Sequence, residues 1–251
     1  MEPSTQTGHN RTGIKTFTGD PDDLLIDEAA AGTLEEIEPL LEDEISMRQE
    51  YIADADALGS IPPPAKLAAA LKSGAQMLVG RNPQVLIDKL GERAAFERGG
   101  TRLYDAFLTK LAAAEDDARS VSYERAREIR DEEAAHYRLV ARCIETLGGD
   151  STVQTPSADL VGVQSLGLVQ VMNDPRTSIA HCVQTLLTAE LTDVAGWELL
   201  ITLAVGFGQD EMADEFRAAY EAEEEHLDQV RAWVQELAFT ASGLSSAVES
   251  T

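Results

Sequence analysis

Aromatic residues make up only 5% of the chain, cysteine occurs twice, and no apolar run approaches the roughly 18 residues needed to span a bilayer. Each scarcity excludes something. Cys143 and Cys182 stand alone with no Cys-x-x-Cys, which argues against a disulfide framework and a thiolate zinc site and makes both small core residues. Positive charge is also short: 20 Lys and Arg against 45 Asp and Glu give a formal net charge of -25. With no basic stripe, neither nucleic acid nor an anionic membrane surface is an expected partner. The opening segment MEPSTQTGHNRTGIKTF lacks the apolar core of a secretory signal, so a soluble, cytoplasmic protein is expected. The negative field favours solubility first and the attraction of divalent cations second.

What is present is 43% hydrophobic residues in 251, enough for a sizeable core, supplied mainly by Leu, Ala, Val and Ile. Alanine-rich stretches such as AKLAAALKSG and KLAAAEDDAR favour helix over strand, so the expected class is all-α. Residues 1–24 read as an irregular polar arm and 25–80 as a helical extension. Within that extension a break is expected near Gly32 or Pro39, and a short helix ends at Gly80. Four long helices follow over 81–241, leaving 242–251 as a tail. The first starts at Asn82-Pro83 and runs to about Ala118; the second is capped by Ser120 or Ser122 and stops at Gly148-Gly149. A long connection, with one helix between Ala158 and Met172, leads to a third helix over about 177–205. The fourth is capped by Asp210 and runs to about Phe239.

Two Glu-x-x-His pairs lie inside these helices, Glu133 with His136 in DEEAAHYRLV and Glu223 with His226 in EEEHLDQV. Residues three apart share a helix face, so each pair can reach one metal. Both fall within apolar stripes: Ile129, Glu133, His136, Val140, Cys143 on one helix, and Phe216, Ala219, Glu223, His226, Val230, Trp233 on the other. The first and third helices each carry a lone acid in a similar stripe. Glu97 follows Leu90 and Ala94, and Glu190 lies between Leu187 and Val194. An acid in the core is costly unless its charge is neutralised.

Spacing is an independent check. Glu97 and Glu133 are 36 residues apart with their midpoint at 115, where EDDARS suggests a turn; Glu190 and Glu223 are 33 apart, with GFG at the middle. Because both legs of a helical hairpin climb at about 1.5 Å per residue, a reversal at the midpoint returns both acids to one level. An internal repeat agrees: with Glu97 on Glu190, Tyr104 falls on Trp197 and Leu108 on Ile201.

One Glu and one Glu-x-x-His per hairpin, over about residues 83–240, resembles the ferritin-like superfamily of dinuclear carboxylate proteins. The resemblance implies a ferritin-like four-helix bundle of two hairpins joined by a long crossover. It also implies a ligand set in which Glu97 and Glu190 are terminal, Glu133 and Glu223 bridge, and His136 and His226 each supply a nitrogen. Two histidines are closer to rubrerythrin and bacterioferritin centres than to the ordinary ferritin centre, so two iron ions are the expected cofactor and two manganese ions the alternative. The activity implied is an oxidoreductase's, a di-iron oxidase or peroxidase acting on dioxygen or hydrogen peroxide. A di-manganese catalase and a non-enzymatic iron-storing protein are the alternatives. Rubrerythrin-type proteins carry a Cys-x-x-Cys electron-transfer module that this chain lacks, so an external reductant is implied. About 80 residues precede the first bundle helix, which departs from cage ferritins and suggests a cover or a homodimer contact.

Several neighbours of the motifs have plainer readings. Glu132, Glu224 and Glu225 are expected to be solvated or to pair with surface arginines. Glu198 competes with Glu190 as a ligand, but the repeat favours Glu190. Tyr104 and Trp197 read as core, although both are near enough to carry electrons. His181, nine residues before Glu190, is too distant to be a ligand. Gly99 and Gly100 suggest close approach or a bend beside the site.

Overall fold

The computed structural model describes residues 34–56, 58–61, 82–114 and 120–243. The chain divides into two compact units, Met1–Ala57 and Leu58–Thr251. In the first, α1 (Leu34–Asp54) runs through Pro39 without interruption, so the break suggested there does not occur. From residue 42 to the end of α1 every side chain is exposed. The polar arm over 1–24 and the short helix expected to end at Gly80 lie outside the described residues.

The second unit holds six helices among the described residues: α2 (Gln84–Ala113), α3 (Tyr123–Thr146), α4 (Pro156–Gln164), α5 (Leu166–Asn173), α6 (Ile179–Gly206) and α7 (Asp210–Ser242). No strand occurs among the described residues, and no helix among them is long and apolar enough to cross a membrane. Local chemistry sets most of the ends. Asn82 Oδ1 accepts from the Gln84 amide, and Pro83 already has helical angles (φ -67°, ψ -14°), so the Asn-Pro pair starts α2. Ser122 caps α3 through the Arg125 amide, and Gly148 follows the helix at φ 87°. Ser178 and His181 form a reciprocal capping box at the start of α6, which gives His181 a structural task.

Three boundaries differ from expectation. The first bundle helix stops at Ala113 instead of about Ala118, with Ala114 extended at ψ 136°; the acids at 115–117 would oppose the negative end of the helix dipole. Asp210 is not the cap of α7 but lies in its first turn, where its charge suits the dipole. That helix continues past Phe239 to Ser242 and ends on Gly243, a left-handed residue at φ 69°. The crossover holds two short helices in place of one, joined at Ser165 between the helix-weakening Gly162 and Gly167.

The crossover is fastened to α2 at both ends. The Ser157 amide and hydroxyl donate to Asp88 at 3.0 and 2.6 Å, and Thr155 packs where any β-carbon on Gly91 would lie 2.4 Å from its hydroxyl oxygen. At the far end, Lys110 Nζ donates to the carbonyls of Asp174 and Thr177 at 2.6 and 3.1 Å. The connection thus travels alongside α2 and delivers α6 to the opposite end of the bundle, antiparallel to α2. Helices α2 with α3 and α6 with α7 pack as two antiparallel hairpins, and α2 also packs on α6.

The apolar core is split into two clusters. Tyr104, Phe107, Ile129, Leu186, Val230 and Trp233 belong to one, and Leu90, Val140, Trp197, Leu200 and Phe216 to the other. Between them lies a polar layer.

Candidate metal centre

That layer comes from the same stripes as the core. Glu97 projects from α2, Glu133 and His136 from α3, Glu190 from α6, and Glu223 and His226 from α7; His136 is the most exposed at 8%, and the rest are at 2% or below. All six residues predicted from sequence converge. Glu198 is on the exposed side of α6, as are Glu224 and Glu225 on α7.

Three donor groups overlap, each with all its ligand atoms within 4.8 Å of one another: Glu133, Glu190, Glu223 and His226; Glu97, His136 and Glu223; and Glu97, Glu133, Asp193 and Glu223. Glu223 belongs to all three groups, and Glu97 and Glu133 to two each, so Glu223 lies between the others. The His226 Nδ1 atom is 3.0 Å from Glu223 Oε2 and 3.6 Å from Glu133 Oε1, while His136 Nδ1 is 2.5 Å from Glu223 Oε1 and 3.8 Å from Glu97 Oε2. The two imidazole centroids are 6.1 Å apart.

Electrostatics without a cation is unfavourable here. Burial pushes the Glu97 carboxyl well above the usual range, with Asp193 and Glu133 adding to the rise, and burial and Glu223 do the same to Glu133. Burial, then Glu223, raises Glu190 to about 8. Glu223 goes the other way. Burial would raise it, but His136 and His226 outweigh burial and hold it at about 2. Burial disfavours the His226 imidazolium, yet Glu223, Glu190 and Glu132 raise its pKa to about 9.

A cation pair fits the unused atoms. Both Glu97 oxygens, one oxygen each of Glu133, Glu190 and Glu223, and His136 Nδ1 are buried without a hydrogen bond of proper geometry, the last two making only an ion-pair contact with each other. Buried polar atoms are rarely left unpaired, and six in one layer, all oxygen or imidazole nitrogen, form a donor set suited to iron or manganese. Gly100 makes room for it: a β-carbon there would lie 2.2 Å from Glu133 Oε2. The close approach expected at the glycine pair is thus to a carboxylate, and Gly99 faces open space.

The structure adds residues that the sequence reading passed over. Asp193, 2% exposed, is one helical turn after Glu190, and Arg93, 4% exposed, is one turn before Glu97. Arg93 Nη1 is paired with the Asp193 carboxylate and also donates to its carbonyl at 3.0 Å. Spacing of three and four from known core acids could have flagged both. Glu132, expected to be solvated or to pair with a surface arginine, lies 3.6 Å from Arg125 but also 2.7 Å from His226 Nε2. It therefore anchors the outer nitrogen of an imidazole whose other nitrogen faces the carboxylates. The Tyr104 hydroxyl donates to Glu190 at 2.5 Å, and the His136 ring meets Trp197 edge-on at 5.5 Å between centroids. Both aromatics thus belong to the walls of the layer as well as to the core.

No protein-family model and no curated protein matches this chain. Among solved structures, it is similar to one described as ferritin-like, diiron-carboxylate proteins from Bacillus anthracis str. Ames, at 17% identity, over 60% of this chain and 96% of that one, with a TM-score of 0.48.

Proposed function

We propose that this protein holds a pair of redox-active metal ions, with iron as the native metal, and reacts with dioxygen or hydrogen peroxide as an oxidase or peroxidase. The observation that carries the reading is the overlap of the donor groups: Glu223 is common to a group with Glu97 and His136 and to a group with Glu133, Glu190 and His226, and Glu133 also joins Glu97 and Glu223 in the third. The outer residues would each hold one ion, and the two shared carboxylates would lie between them. When bound, such a pair supplies redox equivalents to an oxidant at a site with no thiolate to be consumed.

The chain's own groups have separate tasks. Tyr104 fixes one Glu190 oxygen and leaves the other free. Glu132 orients His226 so that Nδ1 faces inward, and the Trp197 ring limits the rotation of His136. The two apolar clusters above and below exclude bulk water, which strengthens each carboxylate's attraction for a cation.

The test is elemental analysis of protein purified without added metal, followed on the same sample by peroxide consumption with oxygen release monitored. About two iron ions per chain and peroxide loss without oxygen release are expected. Manganese with oxygen release would make the protein a catalase, and iron taken up far beyond two ions per chain would make it a storage protein. Zinc, or no metal after reconstitution with either ion, would defeat the reading.

A further inference from the structure

The buried layer contains one permanent positive charge whose placement the six predicted ligands do not explain. Arg93 is 4% exposed, lies 3.6 Å through Nε from Glu97 Oε1, and is paired with Asp193. Its guanidinium carbon lies 4.5 Å from the Phe96 ring centroid and 5.9 Å from that of Trp197. Gly196 leaves space for it, since a β-carbon at that position would be 2.7 Å from Nη1. Two carboxylates, a carbonyl, two aromatic faces and a missing side chain thus hold the group.

The formal charges of the layer suggest why. Its buried carboxylates are Glu97, Glu133, Glu190, Asp193 and Glu223, which together carry five negative charges when ionised, and Arg93 returns one. The remainder is four, the charge that two divalent cations cancel. Without Arg93 the same layer would be over-supplied with negative charge by one and would favour a more highly charged pair. Asp193 is also close enough to join a donor group with Glu97, Glu133 and Glu223, yet its carboxylate is engaged by Arg93.

We propose that Arg93 is a positioning residue and resident counter-cation, which restrains Asp193 beside the donor groups and sets the charge of the layer so that two divalent ions are its neutral complement. This rests on the metal-pair reading above. Charge in a dry layer is felt strongly, so the consequence is a reduction potential set partly by a residue that touches no metal.

The experiment uses the full chain, loaded anaerobically with iron(II), in wild-type form and as Arg93→Met, Arg93→Lys, Asp193→Asn and the double variant Arg93→Met/Asp193→Asn. Metal content is measured first, then the midpoint potential by spectroscopically monitored titration. Removing the positive charge should favour the oxidised ions at least tenfold, 59 mV downward for a one-electron step. Removing the negative charge should shift the equilibrium by a similar factor in the opposite direction. The double variant, with the wild-type net charge, should return to within about threefold of wild type, and Arg93→Lys should stay there too. If Arg93→Met does not fold, Asp193→Asn and Arg93→Lys decide the matter, because loss of packing alone would not raise the potential in the first and spare the second. Wild type holding two ions with an unmoved potential in Asp193→Asn would overturn this proposal alone. Wild type holding no iron pair would overturn it together with the metal-pair reading.

Discussion

The hairpin α2–α3 and the hairpin α6–α7 carry the same three ligand types, but the repeat is broken at three positions beside them. With Glu97 aligned on Glu190, Arg93 corresponds to Leu186 and Gly100 to Asp193; with Glu133 aligned on Glu223, Glu132 corresponds to Ala222. The first hairpin therefore contributes the buried cation and the partner of the opposite hairpin's histidine, and the second contributes the extra buried acid. His226 has Glu132 on its outer nitrogen, whereas no residue of the second hairpin repeats that arrangement for His136. Two hairpins of like ligand pattern thus support two sides that differ in charge and hydrogen bonding, and two ions held there should differ in affinity.

The comparison breaks most completely at a shared carboxylate. Glu223→Ala removes the only residue common to all three donor groups, and elemental analysis should show both ions lost. A variant that retains one ion would show that the two sides are independent. Next in size is Glu132→Ala, which leaves His226 Nε2 without its partner. Isothermal titration should show a 10–100-fold loss of affinity at one of the two sites, as is typical when a carboxylate behind a metal-binding histidine is removed. Equal loss at both sites would remove the asymmetry.

A third effect is pH dependence of the metal-free protein. Burial raises Glu190 to about 8 and Asp193 to about 7 in the folded chain, so both stabilise the fold below pH 4 and lose that contribution as pH rises from there to those values. His226, raised to about 9, contributes below its ordinary value of 6.5 and loses its part as pH rises toward 9. Glu223, depressed to about 2, contributes above 4.5 and loses its part as pH falls toward 2. Thermal unfolding without metal should therefore show greatest stability near pH 4 and a decline from about pH 4.5 to 9. With metal bound, the decline should be absent. The smallest effect is at Glu225, which is exposed and should tolerate alanine within about 0.5 kcal/mol, with unchanged metal content by elemental analysis.

The six converging residues were legible because each breaks an apolar series, and helix ends were legible where Asn-Pro, Ser or Gly-Gly marks them. Asp193 was missed for a geometric reason. The sequence stripe on α6 placed Leu187 and Val194 inward, but these are only half-buried; the buried face is rotated to Leu186, Asp193, Leu200 and Ala204. Helix α6 is apolar on nearly all sides, so periodicity alone does not fix its rotation, and packing against α2 and α7 does. Arg93 was hidden by its type: arginine is ordinarily solvated, and only a partner from another helix reveals a buried one. Glu132 reads as solvated or paired with a surface arginine, and it does lie 3.6 Å from Arg125, but its reach across to α7 depends on the distance between helices, which no single-chain pattern encodes.

The fastening of the crossover along α2 has a consequence for how the protein assembles. Exchange of a hairpin between two chains would require the connection to swing away, giving up the Asp88–Ser157 bonds, the Gly91–Thr155 contact and the Lys110 anchor together. Domain swapping is disfavoured by that connection, and every donor in the layer comes from one polypeptide. Assembly of the donor layer should thus be first order in the chain, which refolding rates measured at several protein concentrations would check.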